Sequence, residues 1–292
     1  MIKLIVSDVD GTIIDKFNQF NDEEIKKIHE KIDQGVEFMY ASGRDFNMMS
    51  KVFEKSDIYG EMIINNGTQF RNYEGTINEC HPMKEEAFRK MIEILQKYNY
   101  HISIHTTKGK YILVDYDTYW NWHVELLKAD RKVNSIVDLP DATFFRREGY
   151  LNDCTSVKSL DEMYLQGALP LKVDARHLNP KEAQGVYERL SVIPHLNISS
   201  SYEDNIEITC DDLDKGIMLK KVLQQKGISL DEVATFGDGL NDVCMLEDFP
   251  YSFAPSNACT LAKEKAAFCL TKSGGNGAIQ EGIEILEKMN LL

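Results

Sequence analysis

The first 80 residues alternate short apolar runs with helix-like stretches. Residues 3–7, 36–41 and 61–65 are apolar runs of the length expected for strands buried on both faces. The stretches between them carry apolar residues at helical spacing. Strands that alternate with helices in this way predict parallel pairing, with helices packed on both faces of one sheet.

The first helix carries start and stop signals in its sequence. Asn21 is predicted as the N-cap, and Glu24, three residues later, as its capping-box partner. Ile25 and Ile28 continue at helical spacing, and Gly35 indicates the end of the helix. We therefore predict one helix between the first two strands.

The same alternation returns at the C-terminal end of the chain. Residues 213–225 are predicted to be helical and residues 232–236 to form an apolar strand. A helix over 241–247, a short strand over 252–254 and a final helix over 277–289 follow. Both ends of the chain therefore predict parts of one α/β domain.

The middle of the chain has a different pattern. Residues 84–97 predict an amphipathic helix, and residues 100–106 alternate with the period of a half-buried strand. We interpret residues 83–205 as an α+β insert. The surrounding segments, 1–82 and 206–292, would together form the core domain.

The charge balance narrows the choice of partners. The chain has 292 residues and a formal net charge of -14 at pH 7. An acidic surface disfavours nucleic acids and anionic membranes, whose phosphates attract Lys and Arg, although a single site can still be locally positive. No apolar run approaches the roughly 20 residues that a membrane span needs.

Two further features indicate the compartment. Asp8 interrupts the first apolar run too early for a secretory signal. The six cysteines are scattered without any Cys-x-x-Cys pair, which disfavours a zinc site or a disulfide framework. We therefore expect a cytoplasmic protein that binds neither nucleic acid nor membrane.

Two carboxylates directly follow the first predicted strand. Asp8 and Asp10, in the sequence DVDGT, stand where an open α/β sheet binds its ligands. A solvated acidic turn is the alternative, since Asp-Gly alone often marks a turn. The position after a buried strand favours a functional role.

A hydroxyl and a lysine occupy two predicted helix starts. Ser42, Gly43 and Arg44 follow the second strand, where a hydroxyl and backbone N–H groups suit an anion such as phosphate. Taken alone, a plain N-cap is the favoured interpretation, and Arg44 stays unassigned. Lys215, alone, would be a surface charge, but a cation is needed wherever carboxylates and a phosphoryl group share a site.

A second acidic motif, GDGLND, follows the apolar strand near the C-terminal end. Gly237 and Gly239 are predicted to let the backbone turn sharply beside the acids. Asp238 and Asp242 would then approach one metal ion, with Asn241 available to donate to a ligand. The alternative is an ordinary loop that caps a helix.

The combination is far more specific than any single motif. Two acids, a serine, a lysine and two further acids follow strand ends or helix starts in that order. Carboxylate oxygens suit Mg²⁺, and a carboxylate nucleophile that forms an aspartyl-phosphate is one solution for phosphoryl transfer. Metal and lysine would then offset the charge on the phosphoryl oxygens.

On these motifs the chain resembles the haloacid dehalogenase-like (HAD) hydrolases, and most closely their Cof-type phosphatase branch. The resemblance rests on DVDGT at 8–12, SGR at 42–44, NNG at 65–67, DKG at 214–216 and GDGLND at 237–242. It implies an α/β fold with a Rossmann-like, doubly wound parallel sheet. It also implies a large α/β (C2-type) cap between the second and third catalytic motifs, where the insert is predicted.

The resemblance also implies a role for each motif residue. Asp8 would be the nucleophile and a Mg²⁺ ligand. Asp10 would protonate the leaving alkoxide, later activate water, and reach the metal through its backbone carbonyl. Asp238 would complete the metal ligands, with Asp242 binding the metal directly or supporting it. The phosphate would be held by the N–H of Val9, Ser42, Gly43, Lys215 and Asn241.

In this branch the cap is expected to cover the phosphate site and to select the substrate. His101, Ser103 and His105 share one polar face of a predicted strand and could face a substrate. Tyr119 and Trp120 belong to an aromatic cluster that could meet a ring or a sugar. Packing within the cap itself is the favoured alternative for these aromatic residues.

The sequence therefore predicts a Mg²⁺-dependent phosphatase of small phosphorylated metabolites such as sugar phosphates, nucleotides or pyridoxal phosphate, as a monomer or homodimer. The alternative within enzymes is a phosphotransferase or phosphomutase that passes the phosphoryl group from Asp8 to a sugar hydroxyl. A third hypothesis, a protein that binds a phosphorylated ligand without turnover, is opposed by the intact catalytic acids.

Overall fold

The computed structural model describes residues 1–138, 145–199 and 205–292. The chain divides into two compact units. The first unit contains Met1–Cys80 and Leu213–Leu292, and the second contains His81–Asp212. The predicted insert, residues 83–205, lies within the second unit. That unit continues past residue 205 because the next strand pairs inside it.

The strands and helices of the described residues have the following bounds. The strands are β1 (Leu4–Ser7), β2 (Glu37–Ala41), β3 (Glu61–Ile64), β4 (Gln69–Arg71), β5 (Ile77–Cys80), β6 (His101–Thr106), β7 (Gly109–Ile112), β8 (Cys154–Ser156), β9 (Pro170–Arg176), β10 (Leu196–Ser199), β11 (Asn205–Cys210), β12 (Val233–Phe236), β13 (Tyr251–Ala254) and β14 (Phe268–Cys269). The helices are α1 (Asp22–Asp33), α2 (Phe46–Ser56), α3 (Glu85–Lys97), α4 (Tyr116–Arg131), α5 (Arg147–Leu151), α6 (Leu160–Leu165), α7 (Pro180–Leu190), α8 (Lys215–Lys226), α9 (Val243–Leu246), α10 (Thr260–Lys265) and α11 (Ala278–Lys288). Of the helices in the described residues, none has both the length and the apolar composition to cross a membrane.

The first unit is built on one mixed sheet in the order β14-β13-β12-β1-β2-β3-β4-β5. The strands from β14 to β3 are parallel, and β4 and β5 add an antiparallel edge. All four residues of β1 are buried, as expected for a strand covered on both faces. On one face, Ile5 and Tyr40 pack with Ile28 of α1, Val52 of α2 and Ile283 of α11. The predicted Rossmann-like α/β core is confirmed.

The second unit has a six-stranded sheet in the order β10-β11-β9-β6-β7-β8. Its pairs are antiparallel except for β7 with β8. Ile104, Val173 and Ile206 turn to one face, where they pack with Phe88 of α3 and Leu190 of α7. Alternation along the strands places polar side chains on the opposite face.

Helix α1 begins where the sequence predicts, but Glu24 has a different role. The side chain of Asn21 accepts the N–H of Glu24 at 3.0 Å, which confirms the N-cap. The capping box is wrong: within the described residues, neither carboxylate oxygen of Glu24 has a hydrogen-bond partner of normal geometry. The carboxylate is instead buried beside the backbone N–H groups of Gly277 and Ile279 at the start of α11. Burial outweighs these N–H groups and raises the pKa of Glu24 to about 8.

Candidate active site

Three adjacent parallel strands bring the sequence motifs to one edge of the first sheet. In β1, Ser7 lies opposite Phe236 of β12 and Tyr40 of β2. Asp8 follows β1 directly, and its N–H donates to the carbonyl of Phe236 at 2.9 Å. Asp238 stands two residues beyond β12. Because parallel strands end at the same edge, the carboxylates meet where an open α/β sheet binds its ligands.

Lys215 is the centre of the carboxylate contacts. It is the first residue of α8, whose N-cap Asp214 accepts the N–H of Ile217 at 2.7 Å. Its Nζ donates to Oδ1 of Asp8 at 2.7 Å and to Oδ1 of Asp242 at 2.6 Å. The side chain is only 1% exposed, so the alternative of a surface charge is wrong. A buried lysine needs such partners because a charge without them is costly in the interior.

Three carboxylates lie around the one ammonium group of Lys215. Carboxylate oxygens of Asp8, Asp238 and Asp242 all lie within 4.8 Å of one another. Burial and the charge of Asp242 raise the pKa of Asp8 well above its usual value, although Lys215 opposes them. Burial and Asp242 likewise raise the pKa of Asp238 to about 7. Hard oxygen ligands around a surplus of negative charge fit a cation such as Mg²⁺.

Asp242 closes the loop that carries Asp238. Its Oδ2 accepts the N–H groups of Asp238 at 3.0 Å and Gly239 at 2.8 Å. Neither Gly237 nor Gly239 has a positive φ, and both lie in close contact with side chains of the same loop. A Cβ on Gly237 would lie 2.4 Å from Cβ of Asp242, and one on Gly239 would lie 2.6 Å from Oδ1 of Asn241. Larger residues would therefore push the acids apart.

Two neutral side chains also hold Asp238. Thr12 Oγ1 donates to Oδ1 of Asp238 at 3.0 Å, and Asn257 Nδ2 donates to Oδ2 at 3.2 Å. The same Asn257 amide donates to the carbonyl of Gly11 at 2.8 Å, and its Oδ1 accepts the N–H of Gly274 at 2.7 Å. Both oxygens of Asp238 are therefore oriented by neutral donors.

Asp10 turns to a different partner. Its side chain is 56% exposed, forms an ion pair with Arg44 at 2.6 Å, and does not belong to the group of three acids. The family resemblance assigns the backbone carbonyl of Asp10, not its carboxylate, to the metal. That assignment stays a prediction.

The residues predicted to hold phosphate surround the same edge. Val9 is buried, and its carbonyl accepts three N–H groups of the following turn. Ser42 is buried next to Gly43, and its Oγ accepts the N–H of Arg44 at 3.2 Å. Asn241 Nδ2 donates to Oδ1 of Asn66 at 3.1 Å. A ligand would therefore meet Asn241 already oriented by a neighbour.

The second unit contains a buried charged cluster of its own on the polar face of its sheet. Strand register sets His105 opposite Lys172, and Asp174 opposite Glu207. His105 Nε2 contacts Oδ2 of Asp174 at 2.8 Å, and Lys172 Nζ lies 2.9 Å from Oδ1 of Asp174. Burial would raise the pKa of Asp174, but Lys172 and His105 outweigh it and keep this pKa below its usual value.

The aromatic cluster of the second unit packs within that unit. Tyr119 is 1% exposed, stacks on His101 with ring centroids 4.3 Å apart, and makes a hydroxyl contact with Ser103. The ring centroids of Trp120 and Tyr150 lie 6.0 Å apart. Internal packing, the favoured alternative for the cluster, is confirmed for Tyr119.

Sequence reasoning missed several residues at this edge. Thr12 and Asn66 stand inside the motifs DVDGT and NNG, but the sequence pattern predicts no role for either. The pattern likewise predicts no role for Arg44, which contacts Asp10. Asn257 carries no sequence signal. It lies 19 residues from Asp238 along the chain, and only the fold brings its side chain to that carboxylate.

Comparison with known proteins gives consistent likenesses over most of the chain. A family model described as haloacid dehalogenase-like hydrolase matches residues 5–283. Phosphatase YwpJ of Bacillus subtilis (strain 168) is 25% identical over 269 residues, covering 88% of this chain and 90% of that protein. Pyridoxal phosphate phosphatase YbhA of Escherichia coli (strain K12) is 23% identical over 265 residues, covering 90% and 91%. The solved structure of a haloacid dehalogenase-like hydrolase from B. subtilis matches with a TM-score of 0.82 at 21% identity, covering 98% of this chain and 99% of that one.

Proposed function

The chain belongs to the haloacid dehalogenase-like hydrolases and is a phosphoric monoester hydrolase, and we propose that it is Mg²⁺-dependent and works through an aspartyl-phosphate on Asp8. The observation that carries this proposal is the contact of buried Lys215 with Asp8 and Asp242, beside Asp238. A nucleophilic carboxylate, a fixed cation and an incomplete set of hard ligands are the parts that phosphoryl transfer needs.

In the first step, a carboxylate oxygen of Asp8 attacks phosphorus and the bond from phosphorus to the ester oxygen breaks. Asp10, protonated at this stage, gives its proton to the leaving oxygen, so an alcohol departs and Asp8 carries the phosphoryl group. Lys215 touches Asp8 and would balance negative charge on the phosphoryl oxygens.

In the second step, Asp10 takes a proton from water as the water oxygen attacks phosphorus. The bond between phosphorus and Asp8 then breaks, which releases phosphate and restores both the Asp8 carboxylate and the protonated Asp10. The N–H of Val9 and the side chains or backbone of Ser42, Gly43, Lys215 and Asn241 would hold the phosphate through both steps.

The acid group fits the proposed metal. Asp8 and Asp238, with the carbonyl of Asp10, would hold Mg²⁺, and Asp242 would either bind it or support Asp238 through the loop. When bound, Mg²⁺ would offset charge on the carboxylates and on the phosphoryl oxygens.

We assign substrate selection to the second unit, as the Cof-type resemblance implies. His105 lies on the strand face that the sequence pattern offers to a substrate, and this role stays a prediction. Small phosphorylated metabolites are the substrate class supported by the relatives, one of which is named a pyridoxal phosphate phosphatase.

The test is phosphate release from sugar phosphates, nucleotides, pyridoxal phosphate and an aryl phosphate, with Mg²⁺ and with chelator. We expect Mg²⁺-dependent release that disappears in Asp8→Asn and persists in Asp161→Asn, a control at an exposed ion pair with Arg89. Phosphoryl exchange between sugars with little released phosphate would instead support the phosphomutase. Ligand-dependent stabilisation without any release would support a binding protein.

A further inference from the structure

Arg44 is fixed on the carboxylate of Asp10 by a paired contact. Its Nε donates to Oδ2 of Asp10 at 2.8 Å and its Nη2 donates to Oδ1 at 2.6 Å. Nη2 also donates to Oδ1 of Asn18 at 2.7 Å. A paired guanidinium–carboxylate contact fixes both the position and the plane of the carboxylate, which a single hydrogen bond does not.

The arginine itself is anchored at its backbone. The N–H of Arg44 donates to Oγ of Ser42 at 3.2 Å, and its carbonyl accepts the N–H of Asn65 at 3.0 Å. Its side chain is 12% exposed, whereas that of Asp10 is 56% exposed. The buried partner therefore restrains the exposed one, which would otherwise exchange between rotamers.

Asn18 belongs to a tight turn that is held by hydrogen bonds to Asp15. It has a φ of 59°, and its N–H donates to the carbonyl of Asp15 at 3.0 Å. Oδ1 of Asp15 accepts the N–H groups of Phe17 and Gln19 at 2.8 and 2.9 Å. Asn tolerates this left-handed backbone better than most residues, so the turn suits an amide at this position.

We propose that Arg44 is a positioning residue for Asp10: its guanidinium holds the carboxylate for both proton transfers, and Asn18 holds the guanidinium. The inference rests on the proposed function, in which Asp10 serves as acid and then as base. The competing role for Arg44 is direct binding of the phosphate, since arginine suits phosphate as well as carboxylate.

The two roles predict different coupling between residues 44 and 10. A residue that acts only through Asp10 has no further effect once Asp10 can no longer transfer a proton. A phosphate ligand contributes whether or not Asp10 is intact. A double-mutant cycle between these positions therefore separates the roles.

The experiment compares wild type, Arg44→Lys, Asp10→Asn and the double variant, each checked for folding by urea denaturation. Arg44→Lys keeps the charge and removes the paired contact. We expect it to lower kcat for an alkyl phosphate by about 10²-fold, the usual scale of general acid–base catalysis. The same change in the Asp10→Asn background should have an effect of less than about threefold. The inhibition constant of inorganic phosphate should stay within about twofold of wild type.

An aryl phosphate gives a second readout. Its leaving group needs little protonation, so Arg44→Lys should release one burst of phenol and then turn over slowly, because water activation still needs Asp10. Asn18→Gly, which keeps the left-handed backbone and removes the amide, should show the same pattern to a smaller degree. Equal losses in both Asp10 backgrounds with weaker phosphate inhibition, or no loss at all, would overturn the proposal. Wild type without Asp8-dependent phosphate release would instead overturn the proposed function.

Discussion

Two buried lysines, one in each unit, make similar contacts in very different places. Lys215 donates to Asp8 and Asp242 where parallel strands end. Lys172 lies beside Asp174 in the middle of an antiparallel sheet. Neither lysine is more than 4% exposed. Burial of a paired charge therefore does not by itself distinguish the active site from the rest of the molecule.

The balance of charge does distinguish them. In the first unit one lysine faces three carboxylates, and the pKa of Asp238 rises to about 7 through burial and its neighbour Asp242. In the second unit Lys172 and His105 together overcome burial and lower the pKa of Asp174. The first cluster carries more negative charge than its one lysine balances, whereas the second has a lysine and a histidine beside its central acid.

The largest effect is expected from the nucleophile. Asp8→Asn should lower kcat for every substrate by at least about 10⁴-fold, because an amide oxygen cannot form the covalent intermediate. Phosphate release under single-turnover conditions measures this loss. Turnover within about tenfold of wild type would show that Asp8 is not the nucleophile.

Lys→Met at residues 215 and 172 compares the effect of each lysine on folding stability with its effect on kcat. Lys215→Met leaves the buried carboxylates of Asp8 and Asp242 without a cation, so it should lower the free energy of unfolding by about 3–5 kcal/mol in urea denaturation. Lys172→Met leaves Asp174 its contact with His105, so its loss of stability should be smaller. Only Lys215→Met should also cost about 10²–10³-fold in kcat for an aryl phosphate. Equal losses of kcat in both variants would remove the distinction between the clusters.

Substitution of Glu24 tests whether a carboxyl group with a raised pKa must belong to an active site. Its folded pKa is about 8, above the ordinary value near 4.5, because it is buried. The folded state holds this proton more tightly, so the free energy of unfolding should fall by a few kcal/mol as pH rises from about 4.5 to 8. Glu24→Gln should remove that fall without changing kcat.

Urea denaturation at about pH 5 and about pH 9 measures the slope. The exposed residue Glu54 offers a matched control, because Glu54→Gln should keep the fall seen in wild type. The same slope in Glu24→Gln would assign it to other groups.

The smallest effect concerns the support of Asp238. Asn257→Ala removes one of the two neutral donors that orient this carboxylate. We expect the Mg²⁺ concentration for half-maximal activity to rise about tenfold, the usual scale for groups that orient a metal ligand. Terbium luminescence, which reports binding without turnover, should weaken in parallel. An unchanged metal requirement would exclude Asn257 from this role.

The sequence predicted the core of the site because each motif is short and adjoins a strand. Asp8 and Asp238 follow β1 and β12, so parallel pairing alone brings them together. Asp242 lies four residues after Asp238 in the same loop, so local spacing brings the two together. Local pattern and strand direction were sufficient for these residues.

The rest depends on contacts that no local pattern contains. Asn257 reaches Asp238 from a loop, and Glu24 turned to α11 because tertiary burial outweighed its capping box. In the second unit, the period of β6 placed His105 on a polar face. Its contact with Asp174 needed the register of β9, which alternation leaves undetermined.

The most direct test of the central claim is chemical trapping of the phosphorylated carboxylate. An aspartyl-phosphate is an acyl phosphate, and borohydride reduces it to an alcohol. Enzyme quenched during turnover with Mg²⁺ and an aryl phosphate, then reduced and digested, should contain homoserine in place of Asp8 in the N-terminal peptide. Omission of substrate should abolish this product. An unmodified Asp8 peptide from enzyme that releases phosphate, or homoserine at another acid, would contradict the mechanism.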